Sequence, residues 1–285
     1  MIYGFSVKNL DLEINKRPLE DSFYVDRENN IICVADGVTR DWDLNRDLKF
    51  EENYPNPSPA RIVADIFCKS FCDFLKQKKQ ENTFNEVYIK DAFEYSNNLI
   101  QKWNQENISE PDYLLNDLAG CVSAGMVFIK DIVYWGYICD CGICIFDKDF
   151  NLKFKTKDEG PNLKHSLIWK DPRLINTDFN NPESRKILRK DYRNNLNEKN
   201  SFGVLTGEKS AMNYVKFGKV SIDLGDFIFI YSDGISDIIF NNNKLNSDFL
   251  KLLKSKKWIN NFDKLRTFCL NRVGTEGTLV IFGKP

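Results

Sequence analysis

Short apolar runs alternate with polar stretches along most of the chain, and their period predicts strands and helices in blocks. Apolar or alternating runs bounded by turn residues predict strands over 2–7, 22–25, 31–36, 118–129, 132–139, 143–146, 152–155, 215–222, 226–232 and 278–282. Apolar residues at helical spacing predict a helix that opens at Ser58-Pro59 and others over about 85–103, 246–253 and 260–271.

Strands and helices that follow each other in blocks favour an α+β fold over a parallel β/α array. The near-continuous apolar strands predict a central β-sandwich of two mostly antiparallel sheets flanked by helices, a four-layer αββα arrangement. We expect one domain over 1–285. Residues 41–57 are polar and predict a loop, and the polar residues 156–202 predict a flap-like insertion with a short helix near 182–190.

Composition narrows the class of protein. The 285 residues are 42% hydrophobic and carry a net charge of −1, which argues against nucleic acid or an anionic membrane as the main partner. Apolar runs are far shorter than the roughly 20 residues that a membrane span needs. The N-terminus shows no signal peptide, so we expect a cytoplasmic protein, and a monomer.

Eight cysteines raise the question of a zinc site. Cys139, Cys141 and Cys144 are closely spaced, and Cys68 and Cys72 form a second pair at helical spacing. A structural zinc site takes four ligands, usually from two such pairs. Most of these cysteines lie within apolar runs of a chain without an export signal, which favours reduced thiols that pack as small hydrophobic groups.

Acidic residues recur at the ends of the apolar runs. Asp36-Gly37 and Asp233-Gly234 each end a strand, where we expect the glycine to let the chain turn away. The pairs Glu20-Asp21 and Glu276-Gly277, with Asp140 and Asp237, occupy similar positions. Carboxylates are the ligands that hard divalent ions prefer, and crowded carboxylates without an ion repel each other. The pattern therefore predicts one shared metal centre.

The order and spacing of these motifs resemble the metal-dependent type 2C serine/threonine protein phosphatases, with a divergent bacterial-type sequence. The similarity is closest over Ser232-Asp233-Gly234-Ile235-Ser236-Asp237, which resembles the Ser-Asp-Gly-Leu-x-Asp of that family. The other similar segments are 16–22, 34–37, 119–124, 138–142 and 276–280.

The resemblance implies a role for each acidic position. Asp36 would bridge two Mn²⁺ or Mg²⁺ ions, and a water between the ions would attack the phosphoryl group. The implied ligands are Glu20 and the Gly37 carbonyl for one ion, Asp233 and Glu276 for the other, and Asp140 and Asp237 for a weaker third ion. Lys16 or Arg17 would bind the substrate phosphate, with Asp36 and Asp233 the central catalytic positions. A phosphoprotein substrate, and a cognate serine/threonine kinase as a second partner, follow from the same resemblance.

The sequence also departs from the family pattern and leaves other functions open. Val38-Thr39-Arg40 follows the first Asp-Gly, Cys139 and Gly142 flank the Asp140 position, and Glu276-Gly277 replaces an Asp-Asn pair. One alternative is a catalytically weakened relative that acts as a regulatory binding module. Another is an unrelated metal-dependent hydrolase of small phosphorylated molecules. His165 lies outside every motif, and we interpret it as a surface residue in preference to a proton donor.

Overall fold

The structure is a computed structural model that describes residues 1–14, 17–40, 54–81, 83–161, 167–175, 177, 181–241, 243–255 and 262–284. Its strands are β1 (Ile2–Lys8), β2 (Ser22–Asp26), β3 (Ile31–Val38), β4 (Gly120–Ile129), β5 (Ile132–Ile138), β6 (Gly142–Phe146), β7 (Leu152–Lys155), β8 (Lys216–Ser221), β9 (Phe227–Tyr231) and β10 (Glu276–Gly283). Its helices are α1 (Leu10–Ile14), α2 (Pro59–Lys79), α3 (Val87–Asn107), α4 (Pro182–Ile187), α5 (Asp233–Ser236), α6 (Asn243–Lys254) and α7 (Asp263–Leu270). A wider helical turn over Leu188–Tyr192 continues α4, and another over Asp237–Asn241 continues α5.

Two five-stranded antiparallel sheets form the centre of the molecule. One sheet has the order β1-β10-β9-β6-β7 and the other has the order β2-β3-β4-β5-β8. Ile32 and Val34 of β3 pack between the sheets, whereas Ile31, Cys33 and Ala35 of the same strand face α2 and α3. Because both faces of β3 are buried, its sequence is an uninterrupted apolar run.

Helices cover the outer face of each sheet. On one side, Phe67 and Phe71 of α2 pack with Phe93 of α3. On the other side, Phe249 of α6 and Leu265 of α7 belong to one buried cluster with residues of the sheet. The predicted α+β sandwich with helices outside is therefore confirmed. The start of α2 is also as expected, because the Ser58 hydroxyl accepts the Arg61 N–H at 3.1 Å and Pro59 occupies the first turn.

One detail of the predicted strands was wrong. β3 continues through Asp36 to Val38 and pairs with β4 over its whole length, so the chain does not turn at Asp36. β5 and β6 lie in different sheets, so the chain changes sheets in the link that carries Asp140. A period-two pattern shows which residues form a strand and does not show which sheet the strand joins.

The segment predicted to be an insertion is held to the sandwich by two arginines. Arg193 is buried and makes a bidentate pair with buried Asp117, at 2.7 and 2.8 Å. Arg189 donates to the carbonyl oxygens of Tyr113 at 3.1 Å and Thr39 at 3.0 Å. These contacts fix residues 188–193 against the loop that follows β3 and the loop that precedes β4.

All eight cysteines are buried free thiols. Cys139 and Cys141 pack in the core between the sheets, whereas Cys144 packs on the outer face of the other sheet, beneath the helices. Burial raises the pKa of the Cys144 thiol, as expected for a packing residue. Within the described part of the chain, no helix is long and apolar enough to cross a bilayer.

Candidate metal centre and active site

Carboxylates from both sheets meet in one cavity of about 630 Å³ at one end of the sandwich. The acidic residues that line it are Asp36 of β3, Asp140 of the β5–β6 link, Asp233 at the start of α5 and Glu276 at the start of β10. The same cavity is lined by Arg17, Arg185, Arg189 and Arg193. The two Asp-Gly pairs, almost two hundred residues apart in sequence, therefore contribute to one site.

The two glycines permit close approach of backbones instead of turns. A side chain at Gly37 would come within 2.9 Å of the carbonyl oxygens of Glu20 and Ala60. One at Gly234 would overlap the carbonyl oxygen of Glu276. The absence of a Cβ at these positions brings the segments that carry the acids together.

Three carboxylates are close enough to share an ion. One carboxylate oxygen from each of Asp21, Asp36 and Glu276 lies within 4.8 Å of the others. Asp233 adjoins this group, since it lines the same cavity as Asp36 and Glu276 and its charge contributes to the raised pKa of Asp36. Asp21 is buried, and its Oδ1 has no hydrogen-bond partner among the described residues, whereas its Oδ2 accepts the Ser232 hydroxyl at 2.8 Å. A buried carboxylate oxygen without a donor suits a cation.

Sequence reasoning missed Asp21 and assigned the neighbouring Glu20. The Glu20 carboxylate accepts hydrogen bonds from hydroxyls of Tyr54 and Ser58, both at 2.5 Å, and from Thr39. Its oxygens therefore point at protein donors, while its backbone N–H donates to Glu276 Oε2 at 2.9 Å. The available signal was the adjacent acid pair itself, since either member could face the site.

Asp140 and Asp237 lie beside the main group. Asp140 Oδ1 has no partner among the described residues, and its carboxyl has a pKa of about 8 because of burial and the charges of Asp233 and Asp158. Burial is the main cause of the raised pKa of Asp233 and of Asp158, and the charge of Asp237 adds to it at both residues. A third ion at Asp140 and Asp237 remains a prediction.

Arg17 lines the cavity and Lys16 lies outside the described residues, as does His165. The Arg17 guanidinium donates to Thr39 Oγ1 at 2.7 Å and stands 4.0 Å from Glu20 Oε2. Thr39, from the unusual sequence after the first Asp-Gly, thus joins Arg17 to Glu20. Guanidinium groups bind phosphate through paired hydrogen bonds, so Arg17 can contact an anion in the cavity.

Burial, together with repulsion between the carboxylates, raises the pKa values of the acidic group. Burial is the largest cause, and nearby carboxylates add to it, so that Asp21 has a pKa of about 7 and Glu276 one of about 8. Burial with the charges of Asp21 and Asp233 raises the pKa of Asp36 well above its usual range. In the absence of metal, the folded chain keeps protons that the unfolded chain releases near pH 4.

We expect the metal-free protein to lose stability as the pH rises from about 4 to about 8. The folded state binds more protons than the unfolded state in this window, so the free energy of unfolding falls with rising pH, by roughly 4 kcal/mol or more. Mn²⁺ binds the deprotonated carboxylates, so its stabilising effect should grow with pH. Urea denaturation with EDTA and with Mn²⁺, at pH 5.5 and pH 8, measures both effects.

Two variants provide the controls for this prediction, through the slope of the free energy of unfolding against pH. Asp140→Asn removes one group with a raised pKa and should flatten the loss of stability in EDTA. Asp149→Asn, in the exposed β6–β7 turn, should leave the slope unchanged. A metal-free protein equally stable at both pH values would contradict the raised pKa values.

Solved structures show where this architecture occurs. The catalytic domain of serine/threonine protein phosphatase PstP, in complex with two manganese ions, matches 100% of this chain and 98% of its own, with 15% identity and a TM-score of 0.61. The chain has the fold of the bacterial serine/threonine phosphatases. PstP of Mycobacterium tuberculosis gives 14% identity and a TM-score of 0.63 over 100% of this chain and 99% of its own. Stp1 of Staphylococcus aureus has 14% identity to this chain and a TM-score of 0.63, and the match covers 100% of this chain and 94% of Stp1.

The resemblance to the type 2C phosphatases is therefore confirmed for the fold over the whole chain. No protein-family model and no curated protein sequence matches the chain. The site of this chain combines an acidic group that can hold metal with a fold shared by manganese-containing phosphatases.

Proposed function

We propose that this protein is a metal-dependent serine/threonine phosphoprotein phosphatase, formed by a single domain. The observation that carries the proposal is the convergence of Asp21, Asp36 and Glu276, with their oxygens within 4.8 Å, inside a phosphatase fold. The unpartnered buried oxygens of Asp21 and Asp140 support a metal in this place. The proposed substrate is a phosphorylated protein. The serine/threonine kinase that phosphorylates this substrate is a second proposed partner.

The acidic residues would hold two Mn²⁺ or Mg²⁺ ions. Asp36 lies at the centre of the group, with Asp21, Asp233 and Glu276 as the further carboxylates. When bound, such ions lower the pKa of a water molecule and stabilise charge on the phosphoryl oxygens. Glu20 would keep Thr39 and Tyr54 in place and so position the segment that carries Asp36.

Cationic residues would orient the substrate. Arg17 donates to Thr39 and lines the cavity, where it can bind a phosphoryl oxygen beside the acidic group. The apolar residues Val38, Val122 and Phe202 also line the cavity and reduce the access of bulk water to the bound group.

Manganese-dependent hydrolysis of p-nitrophenyl phosphate and of a phosphothreonine peptide tests the proposal. We expect turnover of both in millimolar Mn²⁺ and a loss of turnover with EDTA. Calorimetric titration with Mn²⁺ gives an independent measurement, for which we expect at least two ions per chain. Metal binding without turnover would favour a regulatory binding module, and turnover of small phosphorylated molecules alone would favour a different hydrolase.

A further inference from the structure

Arginines of the segment that follows Asn181 extend the cavity beyond the acidic group. Arg185, Arg189 and Arg193 all line it, at intervals of four residues. Residues four apart lie on the same side of a helical segment. Arg185 lies in α4, Arg189 lies in the turn that continues it, and Arg193 is the first residue after that turn. One wall of the cavity is therefore cationic, and it comes from a segment separate from Arg17.

Contacts of Arg189 and Arg193 hold this wall against the rest of the protein. Arg193 pairs with Asp117, and Arg189 donates to the carbonyl oxygens of Thr39 and Tyr113. Both side chains are largely buried, with 2% and 11% of their surface exposed. The start of α4 is fixed as well, because Asn181 caps it through the Glu183 N–H at 2.9 Å. Arg185 thus occupies a defined position at the half-buried edge of the cavity.

The cavity is larger than the reacting group needs. A volume of about 630 Å³ lies in the range of roughly 300–1,000 Å³ typical of sites for whole small molecules. A phosphoryl group beside Asp36 and Arg17 would occupy only part of it. The remaining volume can receive a neighbouring residue of the substrate, and Arg185 is one of the cationic residues that line the cavity.

We propose that Arg185 binds a second anionic group of the substrate, a carboxylate or phosphate on a residue next to the phosphoserine or phosphothreonine. This inference rests on the proposed function and names its substrate class, an acidic phosphopeptide. A guanidinium binds either oxyanion through paired hydrogen bonds, and the position of Arg185 on a fixed wall lowers the entropy cost of that contact.

Four phosphothreonine peptides that differ only in the residue beside the phosphothreonine test this inference. That residue is alanine, aspartate, phosphoserine or lysine. Phosphate release with Mn²⁺ gives kcat and KM for the full-length protein, and for Arg185→Gln, Arg185→Glu and the control Lys186→Gln. Lys186 is the adjacent cation and is not among the residues that line the cavity.

We expect the wild type to prefer an acidic neighbour over alanine by about 10-fold in kcat/KM, mainly through KM. Arg185→Gln should lose this preference, Arg185→Glu should prefer the lysine peptide, and Lys186→Gln should behave as wild type. A larger effect for phosphoserine than for aspartate would identify a second phosphate as the preferred anion. The reversed preference in Arg185→Glu cannot arise from partial unfolding.

An unchanged acidic preference in Arg185→Gln would overturn the inference. An equal loss of kcat/KM in Arg185→Gln for all four peptides and for p-nitrophenyl phosphate would also overturn it, because Arg185 would then bind the reacting phosphate. Fluorescence anisotropy measures the affinity for the same peptides without requiring turnover. It therefore tests the anion subsite independently of the proposed phosphatase activity. A chain without turnover that binds the acidic peptides about 10-fold more tightly than Arg185→Gln does would refute the phosphatase and retain the anion subsite.

Discussion

Asp36→Asn should reduce manganese-dependent hydrolysis roughly 1,000-fold or more and leave the fold intact. Asp36 lies in one group with Asp21 and Glu276, and Asp233 lines the same cavity. Asparagine keeps the shape of the side chain and removes the charge that would hold two cations together. We expect Asp233→Asn to have a similar effect.

The same substitution should not destabilise the metal-free protein. Because burial and neighbouring carboxylates raise the pKa of Asp36, its negative charge is unfavourable in the folded chain without metal. Asp36→Asn should therefore have an equal or higher melting temperature in EDTA, and a much smaller increase when Mn²⁺ is added. A general folding defect would lower both.

Turnover of p-nitrophenyl phosphate and melting curves with and without Mn²⁺ measure these effects. Asp149→Asn is the matched control, since it makes the same change in an exposed turn far from the cavity. Wild-type turnover in Asp36→Asn, or an undiminished stabilisation by Mn²⁺, would refute the assignment of the metal centre.

The second large effect concerns stability and the pair between Arg193 and Asp117. Arg193→Met should lower the free energy of unfolding by roughly 3–5 kcal/mol, because it leaves the Asp117 carboxylate buried without its bidentate partner. Each side chain of the pair is only 2% exposed, so water cannot replace the lost hydrogen bonds. Methionine preserves most of the packing volume, so the loss reports mainly on the charge.

Arg173→Met provides a matched control within the same polar segment. Arg173 pairs with Asp171 and Asp191 but is 51% exposed, and such pairs contribute about 1 kcal/mol or less. The double variant Arg193→Met/Asp117→Leu removes both charges of the pair but also takes Asp117 away from Arg189, whose Nε lies 3.7 Å from Asp117 Oδ2, so it should recover only part of the lost stability. Urea denaturation measures all three proteins, and a loss below about 1 kcal/mol in Arg193→Met would show that the pair is not a major contributor.

The pair between Arg193 and Asp117 is a long-range contact that the local sequence pattern does not predict. Residues 156–202 are polar, and polarity alone favoured a flap beside the sheets. In the structure, the end of this segment is anchored through Asp117, which is 76 residues from Arg193 in sequence. Such a pair cannot be read from either segment, because its partners are brought together only by the packing of the rest of the chain.

Within this protein, the sequence by itself determined the strands, the long helices and most of the acids that could bind metal. These features depend on side-chain period, helix caps and residue type, which act over a few neighbouring residues. Tertiary structure decided that Asp21 faces Asp36 and Glu276 while Tyr54, Ser58 and Thr39 bind Glu20. It also decided that the chain changes sheets at Asp140, because both outcomes depend on contacts between segments far apart in sequence.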